Sequence, residues 1–254
     1  MSENNNPKVG LFVTCLVDLF RPNVGFSAVE LLEAAGCDVD VPRAQTCCGQ
    51  PAYNSGDKAD TKEMAKQVLD AFSDFDFVVA PSGSCAAMIK KHYPEVFEDE
   101  PEMQAKFKAL SDKTYELVSF LTDVMFITQS PGAFSGSVTY HDSCSGLREL
   151  GVKEQPRKLL KNMDGVEVRE MNDSEVCCGF GGTFCVKYSD ISNAMVSKKT
   201  QNIDDTGADM LLAGDMGCLM NMAGKLKRQG SKTQVRHVAE VLAGKLDGKP
   251  ISGE

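Results

Sequence analysis

The sequence predicts an α/β protein: an internally duplicated pair of parallel-sheet α/β units with cysteines gathered at the strand carboxyl ends. Two observations predict it. Cysteine-bearing segments recur at a near-constant offset, and short apolar runs alternate with helical patterns inside each half. The ten cysteines stand at 15, 37, 47, 48, 85, 144, 177, 178, 185 and 218. Cys47-Cys48-Gly49 and Cys177-Cys178-Gly179 are the same triplet, with Cys15 and Cys144 upstream and Cys85 and Cys218 downstream. The offset between the halves is 129, 130 and 133 residues at the three matched points. Three coincidences in so rare a residue read as a duplication, with units at residues 1–128 and 137–254.

The elements follow in order. Strands are expected at Val9–Val13, Asp38–Val41, Phe77–Ala80, Ser137–Tyr140, Val166–Arg169 and Met210–Ala213. Residues 30–41 and 157–169 each read as an amphipathic helix end, a turn with glycine, then an alternating strand. Each half is expected to close on an amphipathic helix, at residues 115–121 and 236–242. Residues 129–136 form a turn-rich linker. The extra acidic stretch from Glu95 to Lys113 is expected as a surface helix with a solvated face.

Composition bounds the function. With 42% apolar and 25% charged residues over 254 positions, the chain is ordinary globular protein. A net charge of −9 argues against general nucleic-acid binding. There is no apolar run long enough to span a bilayer, so no transmembrane segment is expected. The first residues lack the basic and apolar regions of a secretory signal, so the expected address is cytoplasmic. In that reducing compartment ten cysteines point to metal binding, redox chemistry or buried thiols rather than a disulfide framework.

Placement after strands brings the thiols together. In a parallel sheet the strand carboxyl ends share one edge, where ligands bind. Cys15, Cys47, Cys48 and Cys85 are expected to meet at one such edge, and Cys144, Cys177, Cys178 and Cys218 at the other. Gly49 and Gly179 permit the turn that lets two adjacent thiolates reach one centre. Helices starting near Cys85 and Cys218 would turn N-terminal amides toward the thiolates.

This pattern, a lone cysteine, Cys-Cys-Gly and a distant cysteine, present twice, resembles the CCG or cysteine-rich domain family. That family includes the B subunit of heterodisulfide reductase and the iron-sulfur subunits of glycolate oxidase and anaerobic glycerol-3-phosphate dehydrogenase. Residues 11–18, 47–56, 81–85, 177–184 and 217–221 place the resemblance with the family's lactate-utilization members, over nearly the whole chain. The resemblance implies a role in oxidising L-lactate to pyruvate as an electron-transfer subunit. Two other lactate-utilization proteins would be its partners, one of them a larger iron-sulfur protein. The implied cofactor is an iron-sulfur cluster, [4Fe–4S], up to two per chain. One departure matters: the family motif ends Cys-x-x-Cys, whereas Met88 and Asn221 stand at the last position here. Four thiols per half suffice for a [4Fe–4S] cluster or for tetrahedral zinc. A zinc-stabilised assembly subunit and a heterodisulfide-reductase-like thiol redox protein are therefore the alternatives.

The remaining candidates are weaker. Cys37 has Val166 as its counterpart and reads as a buried hydrophobe, as does Met88. Cys185 is a candidate fifth ligand of the second half. His141, three residues before Cys144, is expected to bond a loop carbonyl or to contact the metal centre. Gly179–Gly182 lacks a dinucleotide-binding spacing and reads as turn geometry. His92 and His237 fall in no constellation. No hydride acceptor, Walker loop or Ser-His-Asp grouping is evident, so substrate oxidation would need a cofactor or a partner.

Overall fold

Short apolar runs such as Phe77–Ala80 and Met210–Ala213 are covered on both sides, as strands of an all-parallel sheet must be. The computed structural model describes residues 6–252. It contains β1 (Lys8–Leu11), β2 (Asp38–Asp40), β3 (Phe77–Ala80), β4 (Thr114–Glu116), β5 (Gly136–Tyr140), β6 (Val166–Val168), β7 (Met210–Ala213) and β8 (Gln234–His237). Two parallel sheets result, ordered β2-β1-β3-β4 and β6-β5-β7-β8. The duplication extends to register: Leu11 lies opposite Val79 in one sheet, and Tyr140 opposite Leu212 in the other.

Helices fill the connections of the first half: α1 (Cys15–Phe20), α2 (Pro22–Ala34), α3 (Gln50–Asn54), α4 (Lys58–Phe72), α5 (Gly83–Ala87), α6 (Tyr93–Val96), α7 (Pro101–Asp112) and α8 (Leu117–Ser119). The second half has α9 (Cys144–Leu150), α10 (Glu154–Lys161), α11 (Phe184–Lys187), α12 (Ser189–Asp204), α13 (Met216–Gln229) and α14 (Val238–Leu242). In each half the chain leaves the first strand to pair on one side, then returns to pair on the other. The thiol-bearing segments after β1 and β3, and after β5 and β7, therefore flank the point where strand order reverses. That crevice is the usual ligand position in open α/β sheets.

One sequence expectation is corrected. Residues 115–121 and 236–242 are not helix throughout: each begins in a fourth strand, β4 or β8, that runs straight into α8 or α14. Parallel pairing to β3 and β7 overrides the helical pattern. The stretch from Glu95 to Lys113 contains the expected surface helix, α7, whose polar face is exposed while the other face packs inward. Phe97, Phe107 and Leu110 are buried, with Phe97 and Phe107 stacked at 4.3 Å and Tyr93 edge-on to Phe107.

The two halves share one apolar core. Leu31, Leu117 and Leu121 of the first half cluster with Leu159, Val238 and Leu242 of the second. α14 packs on α2, and α10 packs on α8, an exchange of equivalent pairs that gives the molecule an approximate internal two-fold. α5 packs on α9 so closely that a Cβ on Gly83 would lie 2.8 Å from the Gly146 Cα. Both neighbours there are backbone and cannot yield without moving a helix. Gly83→Ala is therefore expected to lower stability by about 1–3 kcal/mol, the range for overpacking a tight contact. Urea unfolding checks it; an unchanged midpoint would show that α5 and α9 are not in this contact.

Candidate metal centres and a shared cleft

Each thiol set is assembled from three loops. In the first half, Cys15 opens α1, Cys47 and Cys48 lie between β2 and α3, and Cys85 sits in α5. The Cys15 and Cys47 sulfurs are 3.8 Å apart, and those of Cys48 and Cys85 are 3.4 Å apart. In the second half, Cys144 opens α9, Cys177 and Cys178 precede α11, and Cys218 sits in the first turn of α13. The Cys178 and Cys218 sulfurs and one ring nitrogen of His141 all lie within 4.8 Å of one another. Gly49 and Gly179 hold φ of +78° and +84°, the left-handed turn that lets neighbouring cysteines point inward. That turn aims the Gly179 N–H at the Cys177 sulfur, 3.3 Å away. Thr14, before Cys15, holds φ +75°, a strained value for a β-branched residue.

Both sets open into one cleft of about 600 Å³ between the halves. Cys15, Cys47, Cys48 and Cys85 line one side, with Cys144 and Cys218 opposite. Asp215 fastens the floor. Its Oδ1 accepts from the Ser82 and Ser84 hydroxyls, both at 2.7 Å, and from the Ser84 N–H at 3.1 Å. This carboxylate belongs to the segment before Cys218 and grips the segment before Cys85. Two histidines assist. His237 accepts the Ala239 N–H on Nδ1, so its Nε2 carries the proton and donates to the Pro81 carbonyl. At the cleft edge, His92 Nε2 pairs with Glu149 Oε2 at 2.8 Å.

The amide expectation at Cys85 needs correction. The Cys85 N–H bonds the Ser82 hydroxyl and the Ser84 N–H bonds Asp215, so both amides are already engaged. Ser82 caps α5 rather than leaving its first turn facing the thiols. At Cys218, by contrast, the N-cap Asp215 makes no side-chain cap bond to α13.

Comparison with known proteins follows the same lines. Residues 9–90 and 138–223 match the family described as a cysteine-rich domain, CCG. The chain belongs to the CCG cysteine-rich domain family. It is 53% identical to "Lactate utilization protein A" of Geobacillus sp. (strain WCH70), over 92% of this chain and 98% of that one. It is 52% identical to the protein of that name from Geobacillus thermodenitrificans and 49% identical to that from Bacillus cytotoxicus, with the same coverage. A crystal structure of a hypothetical protein from Helicobacter pylori has the same fold at a TM-score of 0.64 and 13% identity. It covers 96% of this chain and 51% of that one.

The donors of each CCG unit suit a cation. Cys47 is held well below the ordinary thiol range by hydrogen bonds from Cys15 and Cys48. Its partners move the other way: Cys15 is pushed up by its bond to Cys47 and by burial, and Cys48 by Cys47, Cys85 and burial. Cys144 is likewise pushed up by Cys177 and burial. So many sulfurs at one point cannot all ionise unaided; a bound metal removes that obstacle, because a coordinating thiol is deprotonated outright. The fit is therefore good.

Surrounding residues differ between the units. Lys199, on the inner face of α12, is buried and donates to the Asp173 and Ser174 carbonyls. Burial pulls its pKa down, against the nearby Cys178 sulfur. Arg157 grips both Asp142 oxygens at 2.8 Å, fixing the loop between β5 and Cys144. Asn221 donates to the Cys178 carbonyl at 2.9 Å and has no sulfur to offer, and Met88 is fully buried in the core cluster of Cys48 and Cys85. Cys37 is buried in the core, where burial pushes its thiol up to about 11. The Cys185 thiol donates to the Gly182 carbonyl and does not line the cleft. His141 lies beside the Ser174 loop carbonyl, but neither ring nitrogen makes a hydrogen bond of good geometry.

Sequence reasoning missed Asp215, Lys199 and the two fastening histidines. A signal existed for Lys199, a lysine in the buried helical row Val196, Thr200, Ile203. For Asp215 the signal was its alignment with Ser82 before the paired cysteines.

Replacing Asp215 with Ala leaves two serine hydroxyls and an amide without their acceptor. A loss of about 2–3 kcal/mol is expected, with Asp215→Asn costing less because it keeps an acceptor. Hydrogen exchange checks the mechanism: the Ser84 amide should lose protection in Asp215→Ala. Unchanged protection would show that the bond does not hold the halves.

Proposed function

We propose that the protein is an iron-sulfur electron-transfer subunit of a multi-protein system that oxidises L-lactate to pyruvate in the cytoplasm. The observation that carries the reading is the pair of thiol sets beside one cleft, which all four cysteines of the first set and Cys144 and Cys218 of the second line. The lactate assignment is supported by relatives near 50% identity that bear the name Lactate utilization protein A and match almost end to end. Cys15, Cys47, Cys48 and Cys85 would hold one [4Fe–4S] cluster, and Cys144, Cys177, Cys178 and Cys218 a second, one in each of the units at 1–128 and 137–254. Such clusters supply one-electron redox capacity that side chains lack.

The chain's own residues set the surroundings. The Gly179 N–H on Cys177 draws charge from that sulfur, the kind of contact that tunes a cluster's potential. Lys199 adds positive charge beneath the second set. Asp215 keeps the two sets at a fixed separation across the cleft. Two other lactate-utilization proteins, one a larger iron-sulfur protein, would handle substrate and exchange electrons with this subunit. Among the described residues no helix is long and apolar enough to cross a membrane.

One observation favours a second reading, a zinc-stabilised assembly subunit. Tetrahedral zinc with Zn–S bonds of about 2.3 Å spaces its sulfurs about 3.8 Å apart, close to the 3.8 and 3.4 Å found here. Metal analysis after anaerobic purification, alone and co-expressed with the partners, separates the two. Two four-iron clusters predict about eight iron and eight sulfide per chain, with Cys48→Ser and Cys178→Ser each removing about half. Zinc near two per chain, with no iron even beside the partners, would sink the relay and leave the scaffold.

A further inference from the structure

His141 and Phe12 occupy the same place in the two halves. Each follows the first strand of its sheet and stands three residues before the first cysteine of its set. The Phe12 N–H bonds the Val79 carbonyl at 2.8 Å; the His141 N–H bonds the equivalent Leu212 carbonyl at 2.9 Å. Both side chains are fully buried. Phe12 packs on the Phe72 ring in the core cluster that also contains Cys48 and Cys85. His141 stands against the counterparts of those two cysteines, Cys178 and Cys218.

The substitution of an imidazole for a phenyl ring is costly unless the imidazole is used. Both His141 ring nitrogens are sealed from water, and neither makes a hydrogen bond of good geometry; the Ser174 carbonyl lies beside the ring. Buried polar groups are nearly always paired, and an orphan calls for an explanation such as an ion. One ring nitrogen lies within 4.8 Å of two thiol sulfurs, so a single ion can touch all three donors. The Ser174 carbonyl adjoins the ring from the same loop system, the type of group that orients a metal-bound imidazole.

We infer that His141 is a metal ligand of the second thiol set, beside Cys178 and Cys218, so that the second half binds through imidazole and thiolate while the first binds through thiolate alone. This rests on the proposal that both sets hold metal. The two centres are thus chemically unlike, despite arising from one duplicated unit. As a ligand His141 takes the place of one of the four thiolates of the second set; where iron is held, an imidazole in place of a thiolate raises the reduction potential, so the second centre is the better electron acceptor of the pair.

The test uses full-length protein purified anaerobically with its partners and labelled with ¹⁵N-histidine. Labelling is informative because the chain has only three histidines. His237 is engaged by Ala239 and Pro81, and His92 by Glu149 and Glu95. If the second half loads iron, pulsed EPR of the reduced protein should show a directly bound nitrogen that changes from the ¹⁴N to the ¹⁵N pattern. If it loads zinc, X-ray absorption of protein with the first set disabled (Cys15→Ser, Cys48→Ser) should show one nitrogen among sulfurs. His141→Phe, which installs the first half's own residue, should abolish either signal and leave the first centre's spectrum intact. The wild-type spectra need no variant to fold. Iron in both halves with only sulfur around the second centre would overturn the inference while sparing the proposed function; zinc in both with only sulfur there would overturn the two together. Metal in neither half would overturn both.

Discussion

The Asp215 carboxylate is the contact on which the cleft depends. It sits at the end of β7 and takes three hydrogen bonds from Ser82 and Ser84 at the end of β3. Those serines precede Cys85, and Asp215 precedes Cys218. One buried carboxylate thereby ties the switch point of one sheet to that of the other. The Gly83–Gly146 approach and the His237 bond to Pro81 act at the same seam. A shared apolar core brings the halves together without direction; these polar contacts set their register, so that the thiol sets face each other.

Duplication accounts for the symmetry, and departures from it locate the chemistry. Strand order, register, the glycine turn and the four thiols repeat. The residues behind the thiols do not. Phe12 and its Phe72 partner are apolar, whereas His141, Lys199, Asp142 and Arg157 make the second site polar and charged. Burying so many ionisable groups is unfavourable unless each is paired or used. Lys199 and Arg157 are paired within the protein; His141 has only the Ser174 carbonyl beside it, with no hydrogen bond of good geometry.

Much of this was legible in the sequence. Six strands and the duplication could be read because cysteine is rare and because buried parallel strands are short apolar runs. β4 and β8 escaped because three or four residues lead directly into a helix, and Tyr115-Glu116-Leu117-Val118 carries a helical pattern as well as an extended one. α7 was legible as a surface helix, but its inward contacts were not, because its charged residues outnumber Phe107 and Leu110, the two side chains that pack inward. Cysteine spacing placed each thiol at a strand end. It was silent on how one half meets the other, which depends on contacts such as Ser82–Asp215, 133 residues apart.

The arrangement of the two thiol sets across one cleft is best tested on the metal-free, reduced protein with a short bifunctional thiol reagent, followed by peptide mapping. Peptides carrying Cys15 or Cys85 should be joined to those carrying Cys144 or Cys218, because these line the same cavity. Cross-links confined to each half, Cys15 with Cys47 and Cys144 with Cys177, would contradict the shared cleft.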